Sequence, residues 1–230
     1  MFELSDMERE AILLSLKVAF WAVAVSLPFG VACAWLLSRK SFPGKSVLNG
    51  IVHLPLVLPP VVVGLILLFL FGTTGPIGGF LKNVFGITVI FTWKGAAVAA
   101  AIMAFPLMVR AIRLSLDTAD PGLERAARTL GAGPVKTFFT ITLPLALPGL
   151  VTGIVLAFAR GLGEFGATIT FVSNIPGETR TLPLAIFSSL QVPEGEAVAI
   201  RLAVVSVILA FAALIASELL VRRHEHRPET

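Results

Sequence analysis

The chain has 230 residues, of which 56% are apolar and 14% charged, with a mean hydropathy of +0.92 and a net charge of +4. That composition excludes an ordinary soluble domain and reads as a protein whose solvent is the bilayer. A single cysteine, Cys33, excludes an intrachain disulfide framework, and His53, His224 and His226 are too scattered to hold a metal.

In chain order, an acidic start (Glu3, Asp6, Glu8, Glu10), unlike the basic start of a secretory signal, leads into an uncharged run over 18–38. A helix needs about 20 apolar residues to cross the hydrocarbon. Spans are therefore expected near 11–38, 47–71, 94–113, 138–162 and 198–221. The shorter apolar runs reach spanning length when Lys94, Arg110, Arg201 and Glu218 lie at the interfaces with their long stems snorkelling. The fold class is an all-α integral membrane protein of about five transmembrane helices, in one domain over 1–230. With the amino terminus outside, segments 39–45, 110–136 and 218–230 are cytoplasmic and carry eleven of the 18 Lys and Arg. Of the other seven, Lys17, Lys94, Arg160 and Arg201 sit at span edges. The positive balance thus reflects topology, and no nucleic-acid partner is expected. The polar tail after Arg223 is expected to be solvated and too short for a regulatory domain.

Gly44-Lys45-Ser46 looks like the end of a phosphate loop, but the required earlier glycine is Arg39, so the chain does not bind ATP by that motif. In the second span, Pro55, Pro59 and Pro60 must break the hydrogen-bond ladder. Backbone carbonyls freed at membrane depth are tolerated only against protein or a water-filled cavity. This segment is expected to face the bundle interior as a candidate pathway or gate, the alternative being a kink for packing alone. His53 reads as a satisfied polar residue near the inner interface. Pro106, Pro144 and Pro148 add further kinks.

A charged segment at about 115–140 interrupts the apolar runs. Asp120 is a good N-cap, Pro121 suits the first helical position, Glu124 falls where the helix dipole favours it, and Gly131 or Gly133 can end the helix. A short helix over about 121–130, a glycine bend and a second helix from Pro134 are predicted. Leu123, Ala126, Ala127 and Leu130, spaced i, i+3, i+4, i+7, form one small apolar face that a partner can approach closely. An ordinary capped interfacial helix is the alternative. Further on, Arg160 and Glu164 are four apart and can pair across a turn, flanked by Gly161, Gly163 and Gly166. Ionisable groups at that depth usually face a bundle interior or cavity. Thr168, Thr170, Ser173 and Asn174 supply neutral donors, suited to an oxyanion that must be released again. The pair alone could equally fix helix packing.

Glu124-Arg-Ala-Ala-Arg-Thr-Leu-Gly131 followed by Ile141-Thr-Leu-Pro144 resembles the cytoplasmic "EAA" loop of ABC importer permeases, with Arg125 interrupting the Glu-Ala-Ala triplet. Together with Leu54–Pro60, Phe105–Arg113 and Gly163–Arg180, it resembles the permease subunits of molybdate ABC transporters over nearly the whole chain. Sulfate permeases share the Glu-Phe-Gly segment but usually diverge after it. The resemblance implies the type I ABC importer permease (MetI-like) fold in a bacterial or archaeal cytoplasmic or inner membrane. It implies a homodimer, two copies of a cytoplasmic ABC ATPase docked on Glu124, Ala126, Ala127, Leu130 and Gly131, and an external or periplasmic oxyanion-binding protein. The substrate implied is molybdate, with tungstate possible and sulfate or another oxyanion as the alternative. Some members carry an additional amino-terminal span, which is not expected here because the first apolar run begins close to residue 1. No cofactor and no chemistry by the chain itself are expected. A secondary transporter would show inverted repeats and more buried carboxylates, and a membrane hydrolase would need a nucleophile linked to a base.

Overall fold

A computed structural model describes residues 4–225. Three helices are long and apolar enough to cross a membrane unbroken: α1 (Asp6–Arg39), α5 (Trp93–Thr118) and α12 (Glu196–Glu225) over Glu196–Ala216. Two further crossings are broken. One is α2 (Lys45–Val57) with α3 (Pro60–Phe71), bent by 115°; the other runs from Pro134 to Leu162 with a 67° bend. The expected five spans are recovered only when each bent pair counts as one. The second broken span contains α7 (Pro134–Thr137), a π-helical turn over Phe138–Thr142, α8 (Leu143–Leu145) and α9 (Leu147–Leu162). Wide turns of this kind let a chain pass a residue such as Pro144, which has no N–H to donate.

Four shorter helices complete the chain: α4 (Pro76–Phe85), the loop helix α6 (Pro121–Thr129), α10 (Gly166–Val172) and α11 (Leu182–Ser189). Among the described residues there is no strand. The polar tail from His226 and the side chain of His224 lie outside the described residues.

The core forms around α5. Its alanine-rich face (Ala96, Ala99, Ala100) packs on α1 and α10, and Met108, Ile112 and Leu116 pack on α1 and α9. Small residues let backbones approach: a Cβ on Gly149 of α9 would stand 2.5 Å from the Ala111 carbonyl oxygen. At about 1.5 Å per residue, Lys17 to Arg39 rises about 33 Å, which matches the hydrocarbon thickness. The first three turns of α1 therefore project beyond it. They pack against α11 and the start of α12 through Ala11, Leu182, Ala185 and Leu202, and Leu182 N–H donates to Ser15 Oγ at 2.6 Å. Glu8, fully buried, meets Arg201 Nε at 2.9 Å.

The α2–α3 break does not face the interior of the single-chain bundle. Pro59 and Pro60 are exposed and Pro55 half-buried, with Val57, Val61, Leu65 and Phe69 open along the same stretch. A 115° turn needs more than an interrupted ladder: α3 is pulled onto α10, where the Gly64 backbone sits against Ala167 and Thr170.

Candidate functional site

The cytoplasmic loop builds itself from local chemistry. Asp120 accepts from Gly122 N–H at 2.7 Å and Pro121 takes the first helical position. At the other end Gly131 adopts φ +85°. Its N–H donates to the Arg128 carbonyl at 3.0 Å, and Ala132 N–H reaches the Ala127 carbonyl at 3.0 Å. That is a Schellman end, and its left-handed residue favours glycine. Gly133 is instead extended and caps α7.

Of the residues expected on the docking face, Leu123, Ala126 and Leu130 are exposed and Ala127 half-buried; Leu130 reaches 88%. Glu124 is turned the other way. It is only 7% exposed, and Oε1 accepts from Arg39 Nε at 2.9 Å and from Thr142 Oγ1 at 3.1 Å. Arg39 also donates from Nη2 to the Ala119 carbonyl at 3.3 Å. One carboxylate thus ties α6 to the end of α1 and to the π-helical entry of α9. Both internal donors meet Oε1, so Glu124 joins α6 to the rest of the chain while Leu123, Ala126 and Leu130 make the exposed face. Arg125, next to the alanines, is the exposed member. Sequence reasoning missed Arg39 and Thr142 as parts of this junction. Their only signal was an arginine at one span end and a threonine before Leu-Pro, which no local spacing links to position 124.

The cytoplasmic ends of α2 and α5 are joined in the same layer. Arg113 Nη1 donates to Asn49 Oδ1 at 3.0 Å, and His53 Nδ1 lies 2.8 Å from the Asn49 carbonyl, so His53 is satisfied locally. Between α5 and α9, Arg110, Ser115, Thr118 and Thr152 border an open cleft of about 490 Å³.

At the external end, Arg160 Nη1 and Glu164 Oε2 stand 2.7 Å apart, with Glu164 only 2% exposed. Oε2 has no hydrogen bond of good geometry, so the arginine's charge is what compensates it. Oε1 accepts from Ala167 N–H at 2.9 Å, so the same carboxylate caps α10. The neutral donors do not line an open route within one chain. Thr168 is 1% exposed, Thr170 donates back to the Gly166 carbonyl at 2.9 Å, and Asn174 is held between Ser188 Oγ (2.6 Å) and Arg180 Nε (3.0 Å). Ser173 is exposed, at φ +64°. It begins a loop that Thr179 closes by accepting from Ile175 N–H and donating to the Ser173 carbonyl. Pro55 borders a different cleft, between α1, α2 and α5.

The described residues form a bundle of apolar helices whose loop helix is clasped by Glu124 and shows an exposed apolar face. Residues 26–226 match the family of binding-protein-dependent transport system inner membrane components, and the chain belongs to that family. It is an integral, multi-pass inner-membrane permease subunit of an ABC importer and not an enzyme. It is 61% identical to the molybdenum transport system permease protein ModB of Escherichia coli over 224 residues, 97% of this chain and 98% of that one. The sulfate transport system permease protein CysT of Salmonella typhimurium is 40% identical over 200 residues, 86% of this chain and 72% of that one. The fold is that of an inward-facing MetNI methionine ABC transporter chain, with TM-score 0.72 at 19% identity, covering 96% of this chain and 99% of that one.

Proposed function

We propose that this chain carries molybdate, with tungstate as a close analogue, through a pathway formed between two copies. Each copy docks one cytoplasmic ATPase, and an external oxyanion-binding protein delivers the anion. The observation that carries the substrate is the identity to a molybdenum permease, 61% over almost the full length of both chains, against 40% over a shorter match to a sulfate permease.

In this reading Leu123, Ala126, Ala127 and Leu130 are the face that the ATPase grips, and Gly131 sets the bend behind it. Glu124 works from inside, holding that helix to α1 and α9. Closure of the ATPase dimer on ATP moves α6, and the junction passes the displacement to the spans. ATP drives this only in so far as it binds one state better than the other. Pro59, Pro60 and Ser173, open on the single chain, are candidates to border the pathway in the dimer. Arg160, Glu164, Thr168, Thr170 and Asn174 hold the wall behind it.

Expression with its cognate ATPase and binding protein, in cells lacking their own molybdate permease, tests this. Molybdate uptake competed by tungstate and little by sulfate is expected. Sulfate uptake that molybdate does not compete would overturn the substrate, and a monomeric permease in the active complex would overturn the shared pathway.

A further inference from the structure

Two clefts on the outer face of α1 and α5 are one groove. The outer, about 270 Å³, lies beside Trp21, Trp93 and Lys94; the inner, about 420 Å³, ends at Ile51, Pro55 and Phe105; Val25, Val98 and Ala101 line both. From Trp93 to Phe105 along α5 is a rise of about 18 Å. One leaflet's share of the roughly 30 Å hydrocarbon core is about 15 Å. Between its ends the wall is aliphatic or aromatic, save for Ser26, whose hydroxyl is turned to the Val23 carbonyl at 3.3 Å.

Charge is found at one end only. Lys17 Nζ stands 3.9 Å over the Trp93 ring, and Lys94 follows Trp93 in the chain. Both lysines are exposed, and Lys17 sits where the rise of α1 from Arg39 puts the outer edge of the hydrocarbon. Two ammonium groups and two indoles at that level, above a dry groove one leaflet deep, match a molecule with an anionic head and a long apolar tail.

We propose that this groove binds an anionic phospholipid of the outer leaflet, with its phosphate between Lys17 and Lys94 and one acyl chain along Val25, Val98 and Ala101 toward Phe105. Trp93 fixes the Lys17 ammonium by a cation–π contact on one side, which leaves the donors on its other side for phosphate oxygens. An uncharged transmembrane helix would fill the apolar length but leave the two lysines without a counter-charge. This site does not rest on the substrate assignment.

The test uses the complete transporter in nanodiscs of phosphatidylcholine containing a minor fraction of phosphatidylglycerol, each lipid in turn bearing a photoreactive acyl chain. Phosphatidylglycerol is expected to crosslink to peptides containing Val25 and Val98 in preference to phosphatidylcholine. The Lys17→Gln/Lys94→Gln variant is expected to lose that capture roughly ten- to thirtyfold, the effect of two basic groups near an anionic headgroup. Lys82→Gln, outside the groove, is expected to leave capture unchanged, and thermal stability read on every variant separates loss of the site from loss of the fold. Equal capture of the two lipids, or undiminished capture by a folded double variant, would overturn the proposal. So would efficient crosslinking of Val25→Cys to a second copy of the chain.

Discussion

At the cytoplasmic end Glu124 meets an arginine 85 positions earlier in the chain, whereas at the external end Glu164 meets one only four positions away. The first pair joins elements far apart in the chain, with both side chains largely buried. The second closes over the break between α9 and α10, and its carboxylate is almost wholly buried. In the proposed function the long-range pair passes position from one element to another, and the local pair holds the wall behind the pathway. The two carboxylates are alike in type, and their partners set the difference in role.

The largest effect is expected at the external pair. Arg160→Gln leaves Glu164 buried without its charge partner, and breaking such a pair costs about 3–5 kcal/mol. A purified variant with wild-type thermal stability would remove the wall role. The swap Arg160→Glu/Glu164→Arg sharpens this further, because an arginine at 164 cannot accept from Ala167 N–H. It is expected to recover the charge contribution but not the α10 cap, so stability returns only in part. Full recovery of stability would show that the cap contributes nothing.

Glu124→Lys comes next, placing a cation against Arg39. Roughly 2–3 kcal/mol is expected, less than at the external pair because Arg39 keeps the Ala119 carbonyl as a partner. Molybdate uptake should vanish while the chain still reaches the membrane. Unchanged uptake, with the ATPase co-purifying at wild-type yield, would break the comparison at its cytoplasmic end. Gly131→Val forces a β-branched residue to φ +85° at a cost of about 1–3 kcal/mol. It should uncouple ATP hydrolysis from uptake with little change in the stability of the bundle. Thr142→Val removes one donor to Glu124, about 1 kcal/mol, and is expected to lower molybdate carried per ATP without lowering ATPase docking.

The smallest energetic effects are expected from cysteine placed, in a Cys33→Ala background, at Thr168, Thr170, Ser173 or Asn174. Ser173→Cys should react with an external charged thiol reagent in the resting state and Thr168→Cys should not. Reaction of Thr168→Cys that depends on bound ATP analogue would move that residue from the wall to the route itself.

Much of the cytoplasmic region was legible because its signals are local. Asp120, Pro121 and Gly131 each act on backbone within a few positions, and they set a helix over Pro121–Thr129 against an expected 121–130. The exposed apolar face followed from helical spacing alone. The direction of Glu124 did not, since Arg39 and Thr142 are distant in the chain. The external region was less legible. The Arg160–Glu164 approach follows from a spacing of four, but α10, α11 and the Ser173–Thr179 loop closure were not anticipated. Those helices are short, and side-chain bonds to backbone define the turn between them.

Hydropathy by itself determined the class and the approximate crossings, because each bilayer-spanning helix must satisfy its own backbone and so shows a run of apolar residues wherever it lies. The same chemistry located the loop helix and its ends. Only the tertiary structure decided that α2 and α3 fold apart by 115° rather than kink, that the first turns of α1 pack against α11 and α12, and that Glu124 points inward while Arg125 faces out. Proline can interrupt a ladder, but the direction in which the chain resumes is set by what the next helix packs on, here Gly64 against Ala167 and Thr170. Charge can mark a residue as costly to bury, but its partner is chosen by which elements meet in space.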